Sequence, residues 1–176
     1  MLELKHTEAR PATRPIAERI ERVRRPRGVW ALVALIGLLA AGGLDGGLSF
    51  VLDRTGASLG AKLSWLEHTP VHDFLLPGLF LLAVFAIGGL VLIVGLISRR
   101  SPGPLRLLDR RLGYHWAWVG SIVLGLVLVS WIVYELVVMP GSTFLQPMLI
   151  TIGFAIAGVP FLTSVRRWYE VKGSRR

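Results

Sequence analysis

The chain has 176 residues, a formal net charge of +9 and no cysteine, and 53% of its residues are hydrophobic. That hydrophobic share exceeds what an ordinary soluble domain of this length carries. The absence of cysteine excludes disulfides, thiolate chemistry and zinc sites built on sulfur. The high charge could suggest nucleic acid, but long apolar runs separate the basic clusters, and this arrangement predicts a polytopic membrane protein instead.

The first region, residues 1–28, is predicted to be a basic cytoplasmic tail that is partly disordered, with a short helix possible from Pro15 to Val23. One interpretation is a solvated segment that retains the chain inside the cell, and a second is a segment that lies on anionic lipid headgroups. A tail that binds a protein partner is a further alternative. The arginines available for headgroups are Arg19, Arg22, Arg24, Arg25 and Arg27.

Four apolar runs are long enough, or nearly so, for the ~20 residues that a bilayer-spanning helix needs. We predict an all-α membrane protein whose four transmembrane helices cover about residues 29–44, 74–97, 116–139 and 144–165, followed by a short basic tail at 169–176. The first run is short and is expected either to cross with little tilt or to borrow from the glycines after it. Its basic leader is too long for a cleaved signal peptide, so we expect an uncleaved helix. Small residues at four-residue spacing, Gly37 with Ala41 and Gly153 with Ala157, favour close helix packing.

The distribution of charge predicts the orientation. Of the 20 lysines and arginines, only Arg54 and Lys62 lie in the loop 45–73, and the connection between the third and fourth spans has none. The rest lie in residues 1–28, in 98–115 and after residue 165. Basic loops stay on the cytoplasmic side of a membrane. We therefore expect both termini in the cytoplasm (N-in, C-in), in a bacterial plasma membrane.

The outer loop between helices 1 and 2, about 30 residues at 45–73, is predicted to lie on the membrane surface. The glycines from Gly42 to Gly47 are expected to end the first helix, and Leu48 to Leu52 reads as a brief strand-like run. Trp65 is of the residue type enriched at headgroup level. The loop is too small to bury a core of its own.

Thr69-Pro70 favours the start of helix 2, with Thr69 as N-cap, Pro70 at the first helical position and Asp73 in the first turn. Pro77 leaves two possibilities. It kinks the helix if the helix begins at Thr69, or it lies within the tolerated first turn if the helix begins near Asp73.

His68 and His72 are spaced four residues apart, with Glu67 and Asp73 beside them, so a metal site can be imagined. The residue before a proline is pushed out of the α region, however, so Thr69-Pro70 breaks the helical spacing between the histidines. We therefore favour solvated histidines and predict no metal ion.

Glu135 is the stronger candidate for a functional carboxylate because it lies within the third span, where an ionisable group is costly. It is only four residues from the end of that span, so an interfacial carboxylate hydrogen-bonded to a Tyr or Trp is the favoured interpretation. The alternative is an outer pocket in which Glu135 faces polar residues of similar depth. Those residues are Asp73, His72 and Gln146.

Several catalytic patterns are missing from the sequence. It has no glycine-rich phosphate loop, no His-Glu-x-x-His motif and no serine in a nucleophile-elbow context. The mid-span polar residues Ser121, Ser130 and Thr151 are of types that usually bond to their own helix. We therefore predict no cofactor and a protein that is not an enzyme.

The stretches GGL-x-F-VLDRTGASLG, LSWLE-x-TP-xx-DFLLPGLFLL and Trp116-Ala117-Trp118 carry a resemblance. Together they resemble a group of small, uncharacterised four-span membrane proteins that are frequent among actinobacteria, over most of residues 29–167. The Thr-Pro and Asp-Phe positions belong to that pattern and the histidines at 68 and 72 do not. The resemblance implies the four-span fold and no particular activity.

Two functions remain open. The first is a non-enzymatic structural or accessory membrane protein, working as a homo-oligomer or beside a larger partner. The second is a small transporter or a lipid- or ligand-binding protein with an outer-leaflet pocket near Asp73 and Glu135.

Overall fold

The computed structural model of the chain describes residues 25–67, 69–138 and 144–171. Within these ranges the regular structure is helical, apart from one isolated antiparallel bridge between Tyr114 and Glu170. Most of the predicted basic tail at 1–28, His68, the third connection and the last five residues lie outside the described residues, so the predictions for them stay predictions.

Helix α1 spans Arg27–Leu52, 26 residues or roughly 39 Å at 1.5 Å per residue. The helix continues past residue 44 into the glycines, as one of the two alternatives for the short first run requires, whereas the strand-like run predicted from Leu48 to Leu52 is wrong. The glycines continue the helix because two of them, Gly43 and Gly47, are buried against the next helix. Tertiary packing thus outweighs the low helical propensity of glycine. The loop that follows is correspondingly shorter than predicted, at residues 53–74, and contains the 3₁₀ turns Ala57–Leu59 and Leu63–Leu66.

Helix α2 is a continuous helical segment, Leu75–Ser98, with a π-helical stretch at Leu81–Ile87. It begins after Asp73, not at Thr69, so the predicted N-cap role of Thr69 is wrong and Pro77 lies in the tolerated first turn. The Thr69 hydroxyl instead donates to the carbonyl of Leu66 at 2.9 Å.

A short helix that the sequence reading missed, α3, spans Gly103–Leu112 in the loop between α2 and the next long helix. The residue directly after the helix, Gly113, adopts a left-handed conformation with φ 72°. Helix α4 follows at Trp116–Val138 and agrees with the predicted third span.

The last apolar region is broken. Helix α5 spans Leu145–Gly158, a 3₁₀ turn covers Val159–Phe161 and helix α6 spans Thr163–Tyr169. The two helical parts meet at a bend of 65°. Pro160 in the turn has no N–H to continue the helical ladder, which accounts for the break. The region predicted as the fourth span, residues 144–165, is therefore bent at the turn that contains Pro160.

By length and composition, three helices of the described chain can cross a membrane, namely α1, α2 and α4. The number rises to four if the bent pair of α5 and α6 counts as one span. The prediction of an all-α protein with apolar spanning helices is confirmed at this level.

Glycines allow two close helix pairings. A Cβ added at Gly47 of α1 would lie 2.7 Å from Leu82 Cγ and 3.0 Å from the carbonyl oxygen of Gly78 in α2. One added at Gly125 of α4 would lie 2.6 Å from the carbonyl oxygen of Gly153 in α5. The predicted Gly153 and Ala157 pair therefore does form a packing surface, whereas a Cβ at Gly37 would meet only a side-chain end at 3.9 Å.

Candidate functional site

Two ends of the helical assembly carry the polar residues. The "basic end" is formed by the start of α1, the end of α2, helix α3, the start of α4 and helix α6. The "opposite end" is formed by the end of α1, the 53–74 loop, the end of α4 and the start of α5. The predicted outer-pocket residues belong to the opposite end.

The structure places these residues on separate elements. His72 is exposed in the loop, and Asp73 accepts a hydrogen bond from the backbone N–H of Leu75 at 3.1 Å, so its carboxylate supports the start of α2. Glu135 is partly buried in α4, with Trp131 as its hydrogen-bonding neighbour. Gln146 is buried at the start of α5. Within the described ranges Asp73 forms no hydrogen bond with Glu135 or His72, and a shared outer pocket stays a prediction.

A shallow groove of about 520 Å³ lies beside this region. The Phe80 ring of α2 stacks on Trp131 of α4 with centroids 4.5 Å apart, and both rings line the groove. Tyr134 and Ser130 also line it, but none of the four predicted pocket residues does. Glu135 does not line the groove, but its hydrogen-bonding neighbour Trp131 does, so the carboxylate lies next to the groove.

The metal hypothesis concerns His68, whose placement is not described. Elsewhere in the described ranges no group of three or more His, Asp or Glu side chains is arranged to hold a metal ion. The pairing of His68 with His72 therefore remains untested.

The basic end holds a buried acidic residue, Asp109. Its carboxylate is buried, accepts a hydrogen bond from the backbone N–H of Trp116 at 2.6 Å, and accepts a second from the Ser101 hydroxyl. The first bond satisfies an N–H at the start of α4 that has no partner within its own helix. Asp109 therefore caps α4 from α3.

Three aromatic side chains connect α6 and the 3₁₀ turn Val159–Phe161 to the rest of the basic end. The Tyr169 hydroxyl donates to the carbonyl of Leu96 at 2.8 Å, and the Trp118 indole donates to the carbonyl of Pro160 at 2.9 Å. The Arg166 guanidinium donates to the Tyr114 hydroxyl at 2.7 Å. Each bond joins residues more than 40 positions apart in the sequence.

His115 is a buried residue that bonds both α6 and the start of α4. Its backbone N–H donates to the carbonyl of Tyr169 at 3.0 Å, and its Nδ1 accepts from the N–H of Ala117 at 3.2 Å. The Nε2 atom is buried and has no hydrogen-bond partner among the residues described. Burial lowers the pKa of His115 below its ordinary value, Asp109 opposes that effect and Arg99 adds to it. Burial thus favours the neutral form of the ring.

An open cleft of about 770 Å³ lies beside Asp109 at the surface of the basic end, and we call it the arginine cleft. Its lining is dominated by arginine and includes a single acid. The lining residues are Arg99, Arg100, Ser101, Pro102, Arg106, Asp109, Arg110 and Val171.

Asp109, His115 and the arginine cleft were missed by the sequence reading. One signal for Asp109 was present, since it is the single acid among the five arginines of residues 98–115. Nothing in the sequence signals the tertiary partners of His115, because they come from α6.

The apolar helices define a candidate integral membrane protein with a polar network at one end. No protein-family model, curated protein or solved structure matches the chain.

Proposed function

We propose that the chain is a structural or accessory membrane protein that is not an enzyme and that acts as a homo-oligomer or beside a larger membrane partner. It belongs in a bacterial plasma membrane with four spans and both termini in the cytoplasm, as the resemblance and the charge asymmetry imply. The basic end then faces the cytoplasm.

The observation that carries this proposal is the set of hydrogen-bond partners of the polar side chains at the basic end. Asp109, Tyr169 and Trp118 each bond the backbone of another element. Such bonds hold helix ends together and leave these groups engaged in the fold. A catalytic site instead requires groups that converge on a space where a substrate can react.

The surface of α2 supports the same proposal. Several of its large apolar side chains are more than half exposed, and they lie on a helix that is long enough to cross a bilayer. Such a surface contacts lipid or another apolar helix. The residues are Leu76, Ile87, Leu90, Val91 and Val94.

The experiment is affinity purification of the full tagged chain from native membranes in a mild detergent, followed by mass measurement of the complex. We expect either a discrete multiple of the chain mass or a co-purifying membrane protein. A monodisperse monomer with no partner, in several detergents, would contradict the proposal. Reporter fusions at Lys62 and at the C-terminus test the orientation, which requires them on opposite sides.

A second candidate is a ligand- or lipid-binding protein, or a small transporter, that uses the opposite end. The observation that favours it is the groove at Phe80 and Trp131, with Glu135 beside it.

The matched test uses Glu135→Gln, with Glu67→Gln as a control because Glu67 is an exposed acid of the same end. The second candidate requires that Glu135→Gln assembles normally and loses binding or transport, whereas Glu67→Gln keeps it. Wild-type behaviour of both variants would exclude a role for the Glu135 carboxylate in that function.

A further inference from the structure

The arginine cleft carries positive charge that the described residues do not neutralise. Its one acid, Asp109, is buried and already accepts bonds from Trp116 and Ser101. No carboxylate of the described chain forms an ion pair with Arg100 or Arg110. An anion in the cleft would therefore find donors that are still available.

Two of the arginines are placed to share one anion. Arg106 and Arg110 are four residues apart on α3, so their side chains leave the same face of that helix. Like charges at this spacing repel each other unless an anion lies between them. The Arg106 Nε donates to the carbonyl of Ser101 at 3.2 Å, which fixes the direction of its guanidinium. The planar guanidinium offers paired N–H donors that match the oxygens of a phosphate.

The cleft also lies at the ends of two apolar helices, which is the depth expected of a lipid phosphate if those helices cross a bilayer. Arg99 directly follows the end of α2, and Trp116 begins α4, so the cleft lies between the ends of two apolar helices. The Trp116 indole donates to the carbonyl of Arg100 at 3.2 Å, and tryptophan is enriched at headgroup level. On α3 the Leu107 side chain is 65% exposed, next to Arg106, and offers an apolar contact for acyl chains.

We propose that the arginine cleft binds the phosphate group of an anionic glycerophospholipid, with Arg106 and Arg110 as its principal donors. This site goes beyond the structural or accessory function, because a protein with any role in the membrane can hold such a lipid. It is also distinct from the predicted headgroup contacts of residues 1–28, most of which lie outside the described residues.

The test uses the full chain in nanodiscs of phosphatidylcholine that contain a small fraction of phosphatidylglycerol, at high ionic strength to screen diffuse attraction. Native mass spectrometry counts the phosphatidylglycerol that stays bound after release from the disc. We expect one retained lipid for the wild type. For the double variant Arg106→Gln/Arg110→Gln we expect binding about 100-fold weaker, taking about tenfold for the loss of a hydrogen bond between charged groups at each arginine.

Arg111→Gln is the matched control because Arg111 is an exposed arginine of α3 that does not line the cleft. It should retain the lipid as the wild type does. Equal losses in Arg111→Gln and the double variant would show diffuse attraction and would overturn the proposal. The single variant Arg110→Gln guards against misfolding, since the Arg110 side chain makes no described hydrogen bond and its removal should still weaken binding about tenfold.

A second arm separates lipid from soluble phosphate. Glycerol phosphate is added to chains in discs of phosphatidylcholine alone, and its binding is compared between the wild type and the double variant. Arginine-dependent binding in either arm supports a phosphate site, and the arm with the tighter binding identifies the source. The absence of arginine-dependent binding in both arms would overturn the proposal.

Discussion

The two ends of the molecule are held together by different interactions. At the basic end, polar side chains join elements far apart in sequence, as in the bond from Tyr169 to Leu96. At the opposite end, the side-chain hydrogen bonds described are local. Asp53 bonds Thr55 and Ser58 in one turn, and Asp73 bonds Leu75.

Apolar side chains make long-range contacts at the opposite end, beside one backbone hydrogen bond from the N–H of Phe74 to the carbonyl of Arg54 at 3.0 Å. Phe50 at the end of α1 stacks on Phe74 before α2, with ring centroids 4.8 Å apart. Gly47 and Gly78 bring the two helices close together. The difference shows that hydrogen bonds between particular polar partners hold the basic end together. At the opposite end, close packing of two helices is possible because glycines have no side chain.

The largest effect is expected from Asp109→Ala. The substitution leaves the Trp116 N–H and the Ser101 hydroxyl without their partner, and hydrogen bonds to a charged group contribute about 1.5–3 kcal/mol each. We expect the free energy of unfolding to fall by about 3 kcal/mol. Denaturant titration in detergent, followed by tryptophan fluorescence, measures it.

Asp53→Ala at the opposite end is the control for that comparison. The hydrogen bonds of Asp53 are exposed, and its partners lie within five residues, so its removal should loosen one turn and affect unfolding less. If both substitutions reduced the free energy of unfolding equally, the distinction between the two ends would fail.

The second effect is expected from Gly47→Ala. The added methyl would meet Leu82 and the Gly78 backbone, and such overpacking costs about 1–3 kcal/mol. We expect a lower free energy of unfolding in the same assay. Gly42→Ala, where an added Cβ meets nothing within 4 Å, should leave stability unchanged or slightly raised. Comparable losses in both variants would argue against close packing of α1 on α2.

The smallest expected effect is a change of the free energy of unfolding with pH. The pKa of His115 is lowered in the folded chain, so the unfolded chain binds a proton more readily. The contribution of neutral His115 is therefore complete above its ordinary pKa of 6.5 and is lost as pH falls below that value. We expect the free energy of unfolding to fall between pH 7.5 and 5.5.

His115→Gln should remove this pH-dependent part. His72→Gln at the opposite end is the matched control, since His72 is exposed, and it should preserve the dependence. An unchanged pH profile in His115→Gln would show that the dependence comes from other groups.

Sequence reasoning predicted the apolar helices because a bilayer demands long runs without charge, and such runs are visible residue by residue. It failed at the end of α1, where Gly43 and Gly47 were read as breakers although they lie in a close helix contact. It also missed α3, because a short helix of low apolar content gives a weak signal next to long spans. The predicted pocket residues were chosen by depth alone, and depth does not fix which way a side chain faces.

The sequence by itself determined the helical class, the approximate positions of the long helices and the separation of basic from acidic regions, since these depend on composition along the chain. Only the tertiary structure decided that Asp109 caps α4 and that His115 is buried against Tyr169. It also decided that four arginines surround one cleft. These features depend on residues brought together from distant positions, and no local pattern specifies which distant residues will meet.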